Sequence, residues 1–425
     1  MLTNTENCET GSGRLAAFTR AAVMAFCILV WTPVSFAAGF GEDIADTFKN
    51  GKFNVNLRYR YEFVDASDNG MKDANASTLR TRLVYKTAKW NDFDITINMD
   101  DVHTIVADNY NDTRNGKTQY QKVVDPEGTD LNIAALTYSG IKDTQIIVGR
   151  QRIVLGNGRF VGNVGWRQNE QTFDAATVKY AGGPFQGSYS YVSQVRRLFG
   201  PDEAAGAATD SWDSQSHLID ASYKVSKALT VAAYGYWMDF DNAAGKSNST
   251  YGIRFSGAPK VSDEVTVIYA AEYATQDDYK DNPTDYSADY LLAELGLKWS
   301  TFTLKAGYEV LEVDESAGVA FQTPLAILHK FNGWADKFLG TPGSGLEDTY
   351  IALSTKLSKG SMALILHDFS SDVGGIDFGQ EYDFVVKWPI SKTYSVLGKL
   401  AIYDADSASS TIDTTKAWLM LTAAF

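Results

Sequence analysis

Cysteine is nearly absent. The chain has two in 425 residues, Cys8 and Cys27, both close to the N-terminus. Beyond them no disulfide framework and no thiolate metal site can form. Proline is scarce at 9 residues, which removes a common strand breaker. Long apolar runs are missing too. Past residue 37 no stretch of about 18 apolar residues occurs, so helices cannot carry this chain across a bilayer. In hydrocarbon every backbone polar group must be paired internally, and the remaining spanning solution is a closed β-barrel. Positive charge is also short. With 38 Lys and Arg against 52 Asp and Glu, the net charge is -14, which argues against a nucleic-acid partner.

What is present begins with a leader. Arg14 and Arg20 precede an apolar run from Ala21 to Trp31, followed by Pro33 and Ser35-Phe36-Ala37. That order of charged, apolar and small residues is the pattern of a secretory signal peptide, with cleavage expected after Ala37. The expected organisation is a signal peptide at 1–37, a short periplasmic segment at 38–52 and an outer-membrane barrel over 53–425.

From there the sequence alternates with period 2. Phe53, Val55, Leu57, Tyr59, Tyr61 and Phe63 share one face; Asn54, Asn56, Arg58, Arg60 and Glu62 share the other. The pattern recurs in about eighteen segments of roughly ten residues, as in transmembrane barrels. Connections alternate as well. Short ones such as Asn91-Asp92, Gly182-Gly183-Pro184 and Ser300-Thr301 are interleaved with long polar ones at 107–129, 154–170 and 315–345. Short periplasmic turns facing long outer loops give that rule. Ala417, Leu419, Leu421 and Ala423 lead to a terminal Phe425, an ending that outer-membrane assembly machinery would recognise. Trp90, Tyr180, Trp299, Trp388, Tyr394 and Trp418 are expected on the lipid face near the interfaces.

The predicted architecture is therefore an all-β, antiparallel up-and-down barrel of about eighteen strands, wide enough for a water-filled lumen. Arginine recurs at the polar positions. Arg58 and Arg60 share a face, as do Arg80 and Arg82, and Arg150 and Arg152; Arg196 and Arg254 follow. With Asp174, Glu272 and Lys305 these are the candidate pore-lining residues. Guanidinium groups on adjacent strands would pass an anion along, since each gives bidentate bonds to carboxylate or phosphate. The blander reading is that they pair with inward carboxylates such as Glu62, Asp174 and Glu272.

The longest connection carries FQTPLAILHKFNGWADKFLGTP, with Leu325, Leu328, Phe331, Ala335, Phe338 and Leu339 at helical spacing. A partly helical loop is expected to pack into the barrel mouth, with Phe331, Trp334, Asp336, Lys337 and Phe338 forming a constriction or lid. The four histidines lack metal-ligand spacing, and no Ser/His/Asp order stands out. No catalytic residue, metal site or cofactor is expected. Asp277, Asp278, Asp281 and Asp285 read as a solvated acidic loop rather than a calcium site.

Gly149-Arg150-Gln151, then Gly156, Arg159, Gly165-Trp166-Arg167-Gln168 and Gln171-Thr172-Phe173-Asp174, resemble the alginate-export family of outer-membrane porins. So does Asn332-Gly333-Trp334-Ala335-Asp336-Lys337-Phe338. The resemblance covers most of the chain after the leader. It implies an eighteen-stranded monomer with an arginine-rich constriction conducting an anionic polysaccharide out of the periplasm of a Gram-negative bacterium. The reading is a non-enzymatic, passive channel for a hydrophilic anion, embedded in the outer-membrane bilayer. The competing reading is a surface adhesion or binding barrel with a plugged lumen.

Overall fold

A computed structural model of the chain describes residues 40–67, 70–200, 209–407 and 409–425. The signal peptide expected at 1–37, with both cysteines, lies outside the described residues. A ten-residue helix, α1 (Phe40–Lys49), belongs to a first compact unit that ends at Asn50, and residues 51–425 form the second. Among the described residues no helix is long and apolar enough to cross a membrane.

The second unit is eighteen strands: β1 Lys52–Ala66, β2 Ala74–Lys86, β3 Phe93–Asn109, β4 Gly128–Tyr138, β5 Thr144–Gln151, β6 Thr172–Gly182, β7 Phe185–Arg196, β8 Ser211–Lys224, β9 Thr230–Met238, β10 Asn248–Gly257, β11 Val265–Asp278, β12 Ser287–Trp299, β13 Phe302–Leu311, β14 Leu346–Lys356, β15 Ser361–Ser370, β16 Asp377–Pro389, β17 Tyr394–Ala405 and β18 Thr414–Ala424. Each pairs antiparallel with its sequence neighbour, and β18 returns to β1 with Tyr59 opposite Leu421 and Phe63 opposite Ala417. The Phe425 amide donates to the Val55 carbonyl at 2.9 Å at that seam. The barrel is closed and has no free edge, as a bilayer requires.

Period 2 decides which side chain goes where. Leu295, Ile351, Ile253 and Leu364 stand exposed on the outside, while their neighbours Glu294, Ala352, Arg254 and Ile365 are more covered. So apolar an exterior, wrapped around charged interior positions, is the surface of a membrane-spanning barrel. Connections at one end are short (139–143, 183–184, 300–301), and those at the other include 110–127, 152–171 and 312–345.

Two local expectations are corrected. Residues 321–342 contain no helix; the only regular structure in that loop is a tiny ladder of Val313–Asp314 with Val319–Ala320. Leu328, Asn332 and Asp336 take positive φ values of 63°, 54° and 60°, and Gly333 follows at 81°, so no helical turn can propagate. Trp418, placed by its aromatic character on the lipid face, is instead buried at 3% exposure on the inner face. It stands opposite Glu62 and Lys399, both inward.

Candidate functional site: a loop-filled lumen

The interior is occupied by the 152–171 and 312–345 loops, which join before they meet the wall. Gly162 N donates to Leu325 O at 2.7 Å, and Ile327 N donates to Gly158 O at 2.9 Å. A Cβ at Gly162 would lie 2.7 Å from Ile327 Cβ, so this close approach needs glycine. Phe160 seats the joined loops against the wall, edge-on to Tyr290 at 5.1 Å and beside Tyr234 and Phe321.

Charge then pins the loops. Arg159 grips Glu309 with Nε and Nη2, at 2.8 and 3.2 Å, while Asn332 and Tyr290 donate to the same carboxylate at 2.6 Å. Arg167 reaches Glu62 at 3.0 Å and Asp336 at 3.1 Å. Asp336 also accepts from Lys416 at 2.9 Å and faces His329 Nδ1 at 2.6 Å. Lys399 Nζ sits 2.6 Å from His329 Nε2, within a cage of Trp334 (3.5 Å to the ring centroid), Trp166 (4.3 Å) and Trp418 (5.4 Å). The Trp334 and Ala335 amides donate to Asp383 and Glu381 at 3.2 and 2.7 Å.

A lysine ammonium only donates, so His329 Nε2 must accept and Nδ1–H points at Asp336. Burial drives the His329 pKa down to about 3; Lys399 reinforces that and Asp336 opposes it. Burial alone would raise the Asp336 carboxyl, but His329, Lys416 and Arg167 outweigh it and hold the group well below the usual carboxylate range. Burial also lowers Lys337 to about 8, with Lys416 adding repulsion.

Of the constriction residues expected in the loop, Trp334, Asp336 and Phe338 lie inside this cluster or pack beside it. Phe338 stacks among Phe369, Phe378 and Tyr403. Phe331 lies under the Arg159 guanidinium at 4.9 Å, and Lys337 donates to Thr414 at 2.9 Å.

The expected pore-lining residues divide into three sets. Arg82, Arg152, Arg254, Glu272 and Lys305 sit on the inner wall or its loop. Arg82 bridges Asp100 and Glu170, at 2.7 Å from each. Arg152 pairs with Glu170 and Asn98, Arg254 with Glu272, and Lys305 with Glu294 at 2.7 Å. Arg58, Arg60 and Arg80 face inward but are covered, at 9%, 0% and 5% exposure. Arg60 is sealed by Asp125 and by the Trp166 ring and carbonyl. Arg58 donates to Gln168, Gly165 O and Arg167 O, and Arg80 to Asn56, all neutral acceptors. Neither Arg58 nor Arg80 forms an ion pair among the described residues, although they stand opposite each other on β1 and β2.

The third set corrects the expectation. Arg150 pairs in register with Asp174, two residues beyond the Val148–Ala176 pair. Val148 and Val178 are exposed apolar residues of the outer face, while Gln151, Phe173 and Ala175 are buried inside. Arg150 and Asp174 therefore point outward. Past a bulge on β7, Gln194 pairs with Asp174 and carries Arg196 onto the same outer face. Gly149-Arg150 gave no sign of its facing, because β5 is flanked by apolar residues on both sides.

Sequence reasoning missed Arg159 and Arg167 as ion-pair anchors, together with His329, Lys399, Lys416, Glu381 and Asp383. Their partners lie across the barrel from distant parts of the chain, where periodicity carries no signal. Among the described residues, no group of three or more His, Cys, Asp or Glu is placed to hold a metal ion.

A closed eighteen-strand barrel with loops folded into a charged lumen is the architecture of an outer-membrane channel. The alginate-export family model matches residues 50–314, and the chain belongs to that family. Solved structures with the same fold include Pseudomonas aeruginosa OccK9 (OpdG), at 12% identity and TM-score 0.69 over 89% of this chain and 99% of that one. Acinetobacter baumannii OccAB4 matches at 14% identity and TM-score 0.65, covering 88% and 98%. P. aeruginosa OpdK, solved with vanillate, matches at 10% identity and TM-score 0.68, covering 89% and 99%. No curated protein matches the sequence.

Proposed function

We propose that this protein is a passive, anion-selective channel of the Gram-negative outer membrane, acting as a monomer without catalysis or cofactor. Its cargo class is a hydrophilic organic anion, with a uronate polymer such as alginate as the family-level candidate for export. The observation that carries this reading is the Arg58–Arg80 pair. Two guanidinium groups face each other across β1 and β2 with only neutral acceptors, inside a protein of net charge -14. Positive charge that is hydrogen-bonded only to neutral groups, beside a narrow and partly desolvated lumen, favours anions and repels cations. On the opposite wall, Lys305, Arg254 and the loop residue Lys330 lie close enough to repel one another, and burial together with that repulsion lowers Lys330.

The test is single-channel recording of the refolded full barrel in a planar bilayer under a salt gradient. Open steps with a reversal potential on the anion side are expected, together with block by vanillate or oligouronates. Cation preference would refute the reading. A second reading, a binding barrel with a plugged lumen, draws support from the Arg159–Glu309 and Asp336–Lys416 anchors that fix both loops. It predicts electrical silence.

A further inference from the structure

The outer surface is not apolar to the same height all round. On β1 the outward apolar residues run from Phe53 to Phe63, about 33 Å of strand, or roughly 25 Å of height at a tilt near 40°. That matches the apolar band of such barrels. On β6 the outward run goes only from Tyr180 to Ala176 before Asp174 interrupts it. From Tyr180 to Asp174 is about 20 Å of strand, or roughly 15 Å of height. The neighbouring strands agree. On β5 the outward run ends at Arg150, on β7 at Gln194, and on β8 Ile219 is followed outward by His217, Gln215 and Asp213. The sector β5–β8 falls about 10 Å short of hydrocarbon height.

The shortfall is filled by an ionic network. Arg150 Nε donates to Asp174 Oδ1 at 2.8 Å and its Nη2 to Oδ2 at 3.2 Å. Gln194 donates to Asp213 at 3.1 Å, and Tyr189 shares a 2.8 Å hydrogen bond with His217. Arg196 is held loosely. Among the described residues it approaches carboxylates at 3.6 Å (Asp174) and 3.7 Å (Asp210), and its buried Nε has no hydrogen-bond partner. Lipid tails cannot satisfy such groups, and a charged side chain is disfavoured at the bilayer midplane and tolerated near the interface.

We propose that the outward face of β5–β8 is a headgroup-binding surface. The leaflet on the loop side is drawn down against it, and a lipid phosphate sits on Arg196 beside the Arg150–Asp174 pair. A phosphate accepts from the terminal guanidinium nitrogens of Arg196, whose side chain is 30% exposed, and local thinning is one response to a short apolar span. The surface is independent of conduction, since its residues do not face the lumen.

The chain past the leader has no cysteine, so single-cysteine spin labels report depth cleanly. A label at Gln194, which pairs with Asp174, and one at Leu291, an exposed apolar residue of β12, are compared in phosphatidylethanolamine/phosphatidylglycerol vesicles. The Gln194 label is expected to be relaxed by a water-soluble nickel chelate and the Leu291 label by oxygen alone. If the Gln194 label behaves like the Leu291 label, or is shielded from both agents, as under a protein partner, the proposal is overturned. R196Q should also lose phospholipid phosphorus that co-purifies with the barrel, whereas R254Q, facing the lumen, should not. Equal phosphorus in R196Q and wild type overturns the phosphate contact.

Discussion

Lys399 donates to His329 at 2.6 Å, and this bond fixes the proton of a buried imidazole on the nitrogen facing Asp336. A wall strand thereby sets the tautomer of a loop residue whose burial keeps it neutral, and the docked loop becomes sensitive to acid. In the docked state His329 has its pKa lowered to about 3 by burial, against about 6.5 for a solvated histidine. A group depressed in this way stabilises docking above its solvated pKa and loses that contribution as pH falls towards the docked value. Docking of 312–345 should weaken from about pH 6.5 downward, by at most about 1.4 kcal/mol per pH unit. Recordings at pH 7.5 and 4.5 should show larger or noisier conductance in acid. In H329Q, which cannot titrate there, the difference should shrink.

Asp336 is the shared counter-charge of His329, Lys416 and Arg167. Asp336→Asn removes it and leaves two buried cations facing each other. Breaking a buried ionic cluster in this way typically costs about 3–5 kcal/mol. The loss should fall on the loop, because the eighteen-strand ladder does not depend on it. Limited proteolysis of folded D336N should cut within 312–345 faster than in wild type, with heat-modifiable gel mobility of the barrel retained. Unchanged cleavage would mean that the loop is held by packing alone.

The outward and inward arginines should separate cleanly in selectivity. Arg80→Gln removes an inward guanidinium that has no carboxylate partner, so anion preference should fall. Arg150→Gln removes an outward one already paired to Asp174, so the reversal potential should stay at the wild-type value. A shift in R150Q equal to that in R80Q would mean that the outward facing of β5 is wrong.

This contrast shows how far the sequence reaches. Strand number, chain order and the alternation of turns with loops follow from period 2 and turn chemistry, because each strand meets lipid on one side and water on the other. The inward placement of Arg58, Arg82, Arg254 and Lys305 follows from the same rule. It fails at Arg150 and Asp174, where the inner face of β6 is apolar because loops fill the lumen and bury Phe173 and Ala175 inside. It fails again at 321–342, where the spacing of Leu325, Leu328 and Phe338 is helical but each residue is anchored separately. Leu325 bonds to Gly162, and Phe338 packs among β15, β16 and β17. The Trp334–Lys399 and Arg167–Glu62 contacts join residues far apart in the chain, and no local pattern encodes them.

The junction between the two loops gives the sharpest structural test. Gly162→Ala places a methyl 2.7 Å from Ile327 Cβ and 3.0 Å from the Ile327 backbone nitrogen. That is closer than packed carbon atoms approach, so either the Gly162 N to Leu325 O bond or the Ile327 N to Gly158 O bond must lengthen. Overpacking of this kind costs about 1–3 kcal/mol. The loops would separate before the barrel yields, since the wall's hydrogen bonds run between strands. Amide hydrogen exchange in detergent should therefore speed up at 158–162 and 325–327 in G162A, with protection of β1 and β18 unchanged. If protection at the junction persists, the two loops are held independently by Arg159–Glu309 and Asp336–Lys416, and the joined-loop description of the lumen fails.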